Sequence, residues 1–140
     1  VIEVNDFIYK NYPVLQTMYS SAEYENIFKF YHKNIKKYVF IDKGLPQAAA
    51  LYTNISDNTL QRMVTKEINT ATVEGMNILL NDNGNNVFFL MLCSTGNNSK
   101  GILLCLDKII NDEKARTVCW YSFDRTKLNI YKTRCNDDNN

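Results

Sequence analysis

Residues able to do chemistry are few in this sequence, and their spacing assembles no complete catalytic set. His32 is the only histidine. A serine or cysteine nucleophile needs such a residue as its base. His32 instead stands beside Lys33 in a helical pattern, and every cysteine lies in the other half of the chain. It reads as a surface histidine whose replacement by alanine leaves fold and activity intact. The glycines Gly44, Gly75, Gly84, Gly96 and Gly101 form neither a P-loop nor a GxGxxG fingerprint. The remaining acid–base candidates are loop carboxylates: Asp42, Asp57, Asp82, Asp112, Glu113 and Asp124. They follow no EF-hand spacing. The reading assigns no catalytic residue, no metal ligand and no cofactor.

Four cysteines, Cys93, Cys105, Cys119 and Cys135, are separated by 12, 14 and 16 residues with no CxxC pair, which argues against zinc. Two readings stay open. All four are reduced core thiols, as free cysteines commonly are, or Cys119 and Cys135 form one disulfide between adjacent strands. Cys93 is expected to stay a buried thiol in either case.

One constellation suggests binding. Lys29, Lys33, Lys36 and Lys37 recur at i, i+4, i+7 and i+8, which on a helix is a single basic stripe. Phe30, Tyr31, Tyr38 and Phe40 interleave with it. Such a stripe suits an anionic surface, whether phosphate, lipid or acidic protein. The bland reading is a solvated helix face with lysines favoured near its C-terminus. A second candidate surface is an aromatic edge of Tyr121, Phe123 and Tyr131, with Trp120 and Val118 on the other strand face.

The elements that must position these residues follow from periodicity. Asn5 caps a short helix, which Tyr12-Pro13 ends. Ser20 to Glu23 is a capping box. Behind it Tyr24, Ile27, Phe28, Tyr31 and Ile35 make one apolar face, predicting helix over 21–36. Residues 38–42 and 47–52 read as a hairpin around Lys43-Gly44, although Ala48, Ala49 and Ala50 favour helix by propensity. Ser56 or Asp57 caps a helix running to Glu67. From there the pattern reads as strands at 73–80, 87–94, 101–110, 116–123 and 128–133, separated by turns such as Asn83-Gly84. The expected fold is α+β: N-terminal helices packed on a C-terminal antiparallel β-meander of about five strands, with an extra hairpin at 38–52. Residues 1–135 read as a single domain and 136–140 as a disordered tail.

Composition bounds the function classes. The chain has 140 residues, 45% hydrophobic and 22% charged, with net charge +1, so no global field recruits nucleic acid or a membrane. Its longest apolar runs, such as Val87–Cys93, fall far short of the roughly 20 residues of a membrane span. Asn, Lys, Ile and Tyr supply 52 of the 140 residues, a bias of A/T-rich coding. A start at Val1 rather than Met reads as a processed or trimmed product. Two glycosylation sequons, at Asn54 and Asn97, match what this many asparagines give by chance.

These observations lead to a non-enzymatic protein-binding or assembly module, as in the ectodomain of a viral or parasite envelope or secreted protein. Its partner is another protein, or an anionic surface met by the lysine stripe, and a homo-oligomer is compatible. An extracellular or virion-surface placement is favoured over a cytoplasmic one. The alternatives are a small hydrolase or transferase using the loop carboxylates, and an intracellular nucleic-acid-binding adaptor.

Overall fold

The computed structural model describes the backbone of residues 4–31, 34–96, 99–122 and 124–135, and the side chains of all of these except 27–31. His32, Lys33, Phe123 and the tail 136–140 lie outside the described residues, as does the side chain of Lys29.

Three helices open the chain. α1 (Val4–Asn11) buries Phe7 and Ile8, and it packs on α2 (Pro13–Met18) and α3 (Ser21–Tyr31). Tyr12 does end α1, but Pro13 starts α2, since a proline at the first helical position loses no hydrogen bond. The capping box forms as read. The Ser20 amide donates to Glu23 Oε1 at 3.1 Å, and the Glu23 amide donates to Ser20 Oγ at 3.2 Å.

Among the described residues five strands follow, in the sheet order β1-β2-β3-β4-β5: β1 (Lys36–Asp42), β2 (Leu45–Ile55), β3 (Asn86–Ser94), β4 (Thr117–Tyr121) and β5 (Leu128–Lys132). The expected hairpin is β1–β2. Its loop residues Lys43 and Gly44 both have positive φ, +52° and +76°, as a two-residue hairpin of matching twist requires. Ala48, Ala49 and Ala50 are fully buried in β2, so burial overrides their helix propensity.

The α+β class holds, but the all-antiparallel meander does not. Residues 73–80 are α5 (Val73–Leu80) and residues 101–110 belong to α6 (Ser99–Glu113). With α4 (Asp57–Val64), these helices interrupt the strands. The sheet is therefore mixed. β3 and β4 are parallel, pairing Asn86 with Thr117, Val87 with Val118 and Phe88 with Cys119. α6 supplies the crossover that parallel strands need. β4 and β5 are antiparallel, with Cys119 opposite Ile130 and Tyr121 opposite Leu128.

Both errors have local causes. In α6 the buried positions are Gly101, Cys105 and Ile109, a spacing of four, while Leu103 and Leu104 are exposed. Counting apolar residues without their period makes that segment look like a strand covered on both faces. In α5 the cap is Thr72, whose hydroxyl accepts from the Gly75 amide at 3.0 Å.

The chain divides into two compact units: residues 1–51 with 91–107, and residues 52–90 with 108–140. In the first, the Tyr9 and Tyr24 rings meet at a tilt of 32° with centroids 5.6 Å apart, and the Tyr24 hydroxyl reaches Met91 Sδ at 3.8 Å. In the second, Ile55, Met63, Ile68, Leu79, Phe88 and Cys119 form the core, with Leu60, Leu90, Tyr121 and Leu128 packed against it.

Candidate functional site

The second unit carries a groove of about 720 Å³. One wall is the connection from α4 to α5, and the other is the β4–β5 hairpin. Both begin as ordinary backbone chemistry.

α4 starts at Ser56, whose hydroxyl accepts from the Thr59 amide at 3.2 Å. It ends in a Schellman motif. The Lys66 amide donates to the Met63 carbonyl at 3.1 Å, and the Glu67 amide to the Arg62 carbonyl at 2.9 Å. This puts Lys66 in the left-handed region, φ +65°, where glycine is usual. Ile68 then turns into the core, 3% exposed. Asn69 Oδ1 accepts from the Ala71 amide at 2.9 Å, and the Thr72 hydroxyl donates to the Asn69 carbonyl at 2.7 Å. Gly75 is required beneath this turn, because a Cβ there would fall on the Asn69 carbonyl oxygen.

The opposite wall is tied by Asp124. Its Oδ1 accepts from the Ser122 hydroxyl at 2.7 Å, the Thr126 hydroxyl at 2.7 Å and the Thr126 amide at 3.1 Å. These donors hold the carboxyl down to about 2, the Thr126 hydroxyl most, then the Ser122 hydroxyl, then the Thr126 amide. The loop closes by mutual bonds between Ser122 and Lys127: the Ser122 amide donates to the Lys127 carbonyl at 2.8 Å, and the Lys127 amide donates to Ser122 Oγ at 3.1 Å. Arg125 at its tip is left-handed, φ +64°, with its amide donating to the Ser122 carbonyl at 2.8 Å.

The lining combines two chemistries. Met63, Ile68, Tyr121, Leu128 and Ile130 give an apolar floor, and Tyr121 sits edge-on to Phe88 with centroids 5.9 Å apart. Lys66, Arg125 and Lys127 supply three cations, and the lining contains no carboxylate. The acidic neighbours of two of them in sequence are engaged elsewhere: Glu67 pairs with Arg62 at 3.1 Å, and Asp124 is turned into its own loop. The groove thus suits a molecule with an apolar body and a negative group.

The residues singled out in the sequence fall differently. Lys36 and Lys37 are exposed and lie on β1, not on the helix, which ends at Tyr31. Adjacent strand residues point to opposite faces, so the four lysines do not form one helical stripe. Tyr121 lines the groove. Tyr131 pairs with Val118, so it stands on the other face of the sheet from Tyr121, and the aromatic edge does not assemble.

The Cys119–Cys135 bridge is also corrected. All four cysteines are free, and Cys119 is opposite Ile130, five residues short of Cys135 along β5 and beyond. Cys93, Cys105 and Cys119 are buried, and burial pushes their thiols up to about 11, 12 and 12. They behave as core side chains, with the Cys119 thiol donating to the Val87 carbonyl at 3.6 Å.

Of the carboxylates expected in loops, Asp57 lies in α4 and Asp112 and Glu113 in α6, and four of them are held in separate partnerships. Asp57 accepts from Asn86, Asp82 from Ser56, Asp112 from Lys108 and Glu113 from Tyr52. Among the described residues, no three His, Cys, Asp or Glu side chains gather as a metal site. No described helix is long and apolar enough to cross a membrane. The Asn54 sequon is closed to glycosylation in the folded chain, since Asn54 is 7% exposed in β2. The cations of the groove escaped the sequence reading because nothing in it brings residue 66 near residue 125.

No protein-family model matches the chain, and no curated protein does. Among solved structures it is similar to GphF, a GNAT-like decarboxylase in complex with isobutyryl-CoA. The TM-score is 0.45, with 16% sequence identity, covering 73% of this chain and 51% of that one. The chain thus spans about half the length of that structure. A likeness of this size assigns no family and no substrate.

The reading as a non-enzymatic assembly module, an envelope or secreted ectodomain, is overturned. Its structural supports were the helical lysine stripe and two strands apolar on both faces, 87–94 and 101–110; the second of these is the helix α6, and Lys36 and Lys37 lie on β1. The nucleic-acid adaptor loses its basis with the helical lysine stripe.

Proposed function

We propose that the second unit binds a small molecule carrying an anionic group on an apolar body, in the groove between the α4–α5 connection and the β4–β5 hairpin. The observation that carries this is the lining itself, three cations and no carboxylate over an apolar floor. Ligand sites of this size, a few hundred to about 1,000 Å³, combine apolar walls with a few placed polar groups. The test is fluorescence binding of anilinonaphthalene sulfonate, with decanoate as competitor and neutral phenylnaphthylamine as control. Replacing Lys66, Arg125 and Lys127 together by glutamine weakens the anionic probe about tenfold at low salt, since each exposed pair contributes roughly 0.5 kcal/mol. Equal affinity of wild type and triple variant would sink the proposal.

A second reading, an enzyme acting on an acyl thioester, is favoured by one feature of the sheet. The β3–β4 ladder ends at Phe88 and Cys119, although Phe89 and Leu90 continue β3 and Trp120 and Tyr121 continue β4. Strand edges that part in this way can take an extended, amide-bearing ligand as an added strand. Calorimetry with isobutyryl-CoA tests it, and Trp120→Ala should then weaken binding. No heat of binding at millimolar ligand removes this reading and leaves the first untouched.

A further inference from the structure

We infer that Asp124 is the positioning residue of the groove, acting through Arg125 and not through its own charge; this rests on the anionic-ligand reading above. The geometry separates the two roles. A carboxylate beside a cationic site repels an anion, so as a bare charge Asp124 lowers affinity. As an acceptor it does the reverse. One oxygen, Oδ1, gathers the Ser122 hydroxyl, the Thr126 hydroxyl and the Thr126 amide, closing the loop on both sides of Arg125. The Arg125 amide is tied to the Ser122 carbonyl, and its backbone is held left-handed, where a side chain with a Cβ rarely sits unless its surroundings fix it. Arg125 and its neighbours Thr126 and Lys127 all line the groove. Without the acceptor the tip relaxes to an ordinary turn, and the guanidinium leaves the wall.

The acceptor and the charge are separable by substitution. Asp124→Asn removes the charge and keeps an oxygen that can accept the same three bonds. Asp124→Ala removes both. Anilinonaphthalene sulfonate is the probe, on the full chain, with melting temperature measured alongside. Asp124→Ala should bind about twofold more weakly than wild type, the size of one lost exposed charge pair. Asp124→Asn should bind at least as tightly as wild type. In an Arg125→Gln background, Asp124→Ala should cost nothing further, because the residue it positions is gone. Neutral phenylnaphthylamine should bind all variants alike, as it would not if the floor had loosened. Equal affinity of Asp124→Ala and Asp124→Asn overturns the inference, and so does a full twofold loss in the Arg125→Gln background. Loss of the anionic-ligand reading is recognised separately, by the lysine and arginine triple variant matching wild type. Even then the three-bond HN–Hα coupling of residue 125 decides the positioning role. It should change in Asp124→Ala and not in Asp124→Asn, and an unchanged coupling in the alanine variant refutes it.

Discussion

Lys66 and Arg125 line the same groove from two walls, and both hold a left-handed backbone, φ +65° and +64°. For a residue with a Cβ that conformation costs about 1–2 kcal/mol. What maintains it differs. Lys66 is fixed by main-chain bonds at the end of α4 and by packing: Ile68 is sunk in the core two residues on, and Gly75 admits the Asn69 turn. Arg125 is fixed by its amide's bond to the Ser122 carbonyl and by the bonds that its neighbours Ser122 and Thr126 donate to one exposed carboxylate, Asp124. A packed wall fails when volume changes, and a polar wall fails when protons or acceptors change.

The comparison is broken most severely from the packed side. Ile68→Ala leaves a cavity under the α4–α5 wall and should cost about 2–5 kcal/mol in chemical denaturation. Gly75→Ala should cost about 1–3 kcal/mol, because its Cβ meets a backbone oxygen and the Asn69 turn must move. Both should weaken probe binding through the wall that carries Lys66, while amide shifts of Ser122 to Lys127 stay near their native positions. A variant that disturbs both walls equally would show that they are one cooperative element.

Smaller effects sharpen it. Lys66→Gly and Arg125→Gly each relieve the left-handed strain but add freedom to the unfolded chain. The net gain should be about 0.5 kcal/mol in melting experiments. If only Lys66→Gly is stabilising, Arg125 is not strained in solution. The smallest effect is acid sensitivity. Asp124 has its carboxyl lowered from 3.8 to about 2 in the folded chain. A depressed folded value contributes stability that is complete above the unfolded value and lost as pH falls towards the folded one. The Thr126 amide resonance should therefore titrate near pH 2. The Ala71 amide, which donates to the uncharged Asn69 side chain, should show no such step while the chain is folded. Titration of Thr126 near pH 4 would mean that the Asp124 bonds are absent.

Much of the secondary structure was legible because its causes are local. The Ser20–Glu23 capping box, the Ser56 cap and the Lys43-Gly44 hairpin each depend on residues within four positions of one another, and all three form. The strand at 87–94 was legible too, as an apolar run bounded by turn residues. The Thr72 cap was local as well, but glycine at the third helical position hid it, since glycine weakens helix propensity. The spacing of Gly101, Cys105 and Ile109 was present in the sequence but masked by Leu103 and Leu104, exposed apolar residues that obscure the period.

The sequence by itself determined the Ser20 and Ser56 caps, the turns and the α+β class, because each depends on residue type or on neighbours a few positions away. Tertiary structure alone decided that β3 and β4 run parallel, that Cys119 meets Ile130 rather than Cys135, and that Tyr121 and Tyr131 stand on opposite faces. It also decided the groove. Lys66 and Arg125 are 59 positions apart in the chain, and no periodicity links them. They line one cavity because Ile68 and Leu128 bury their apolar surface around the same core, carrying the adjoining turns with them.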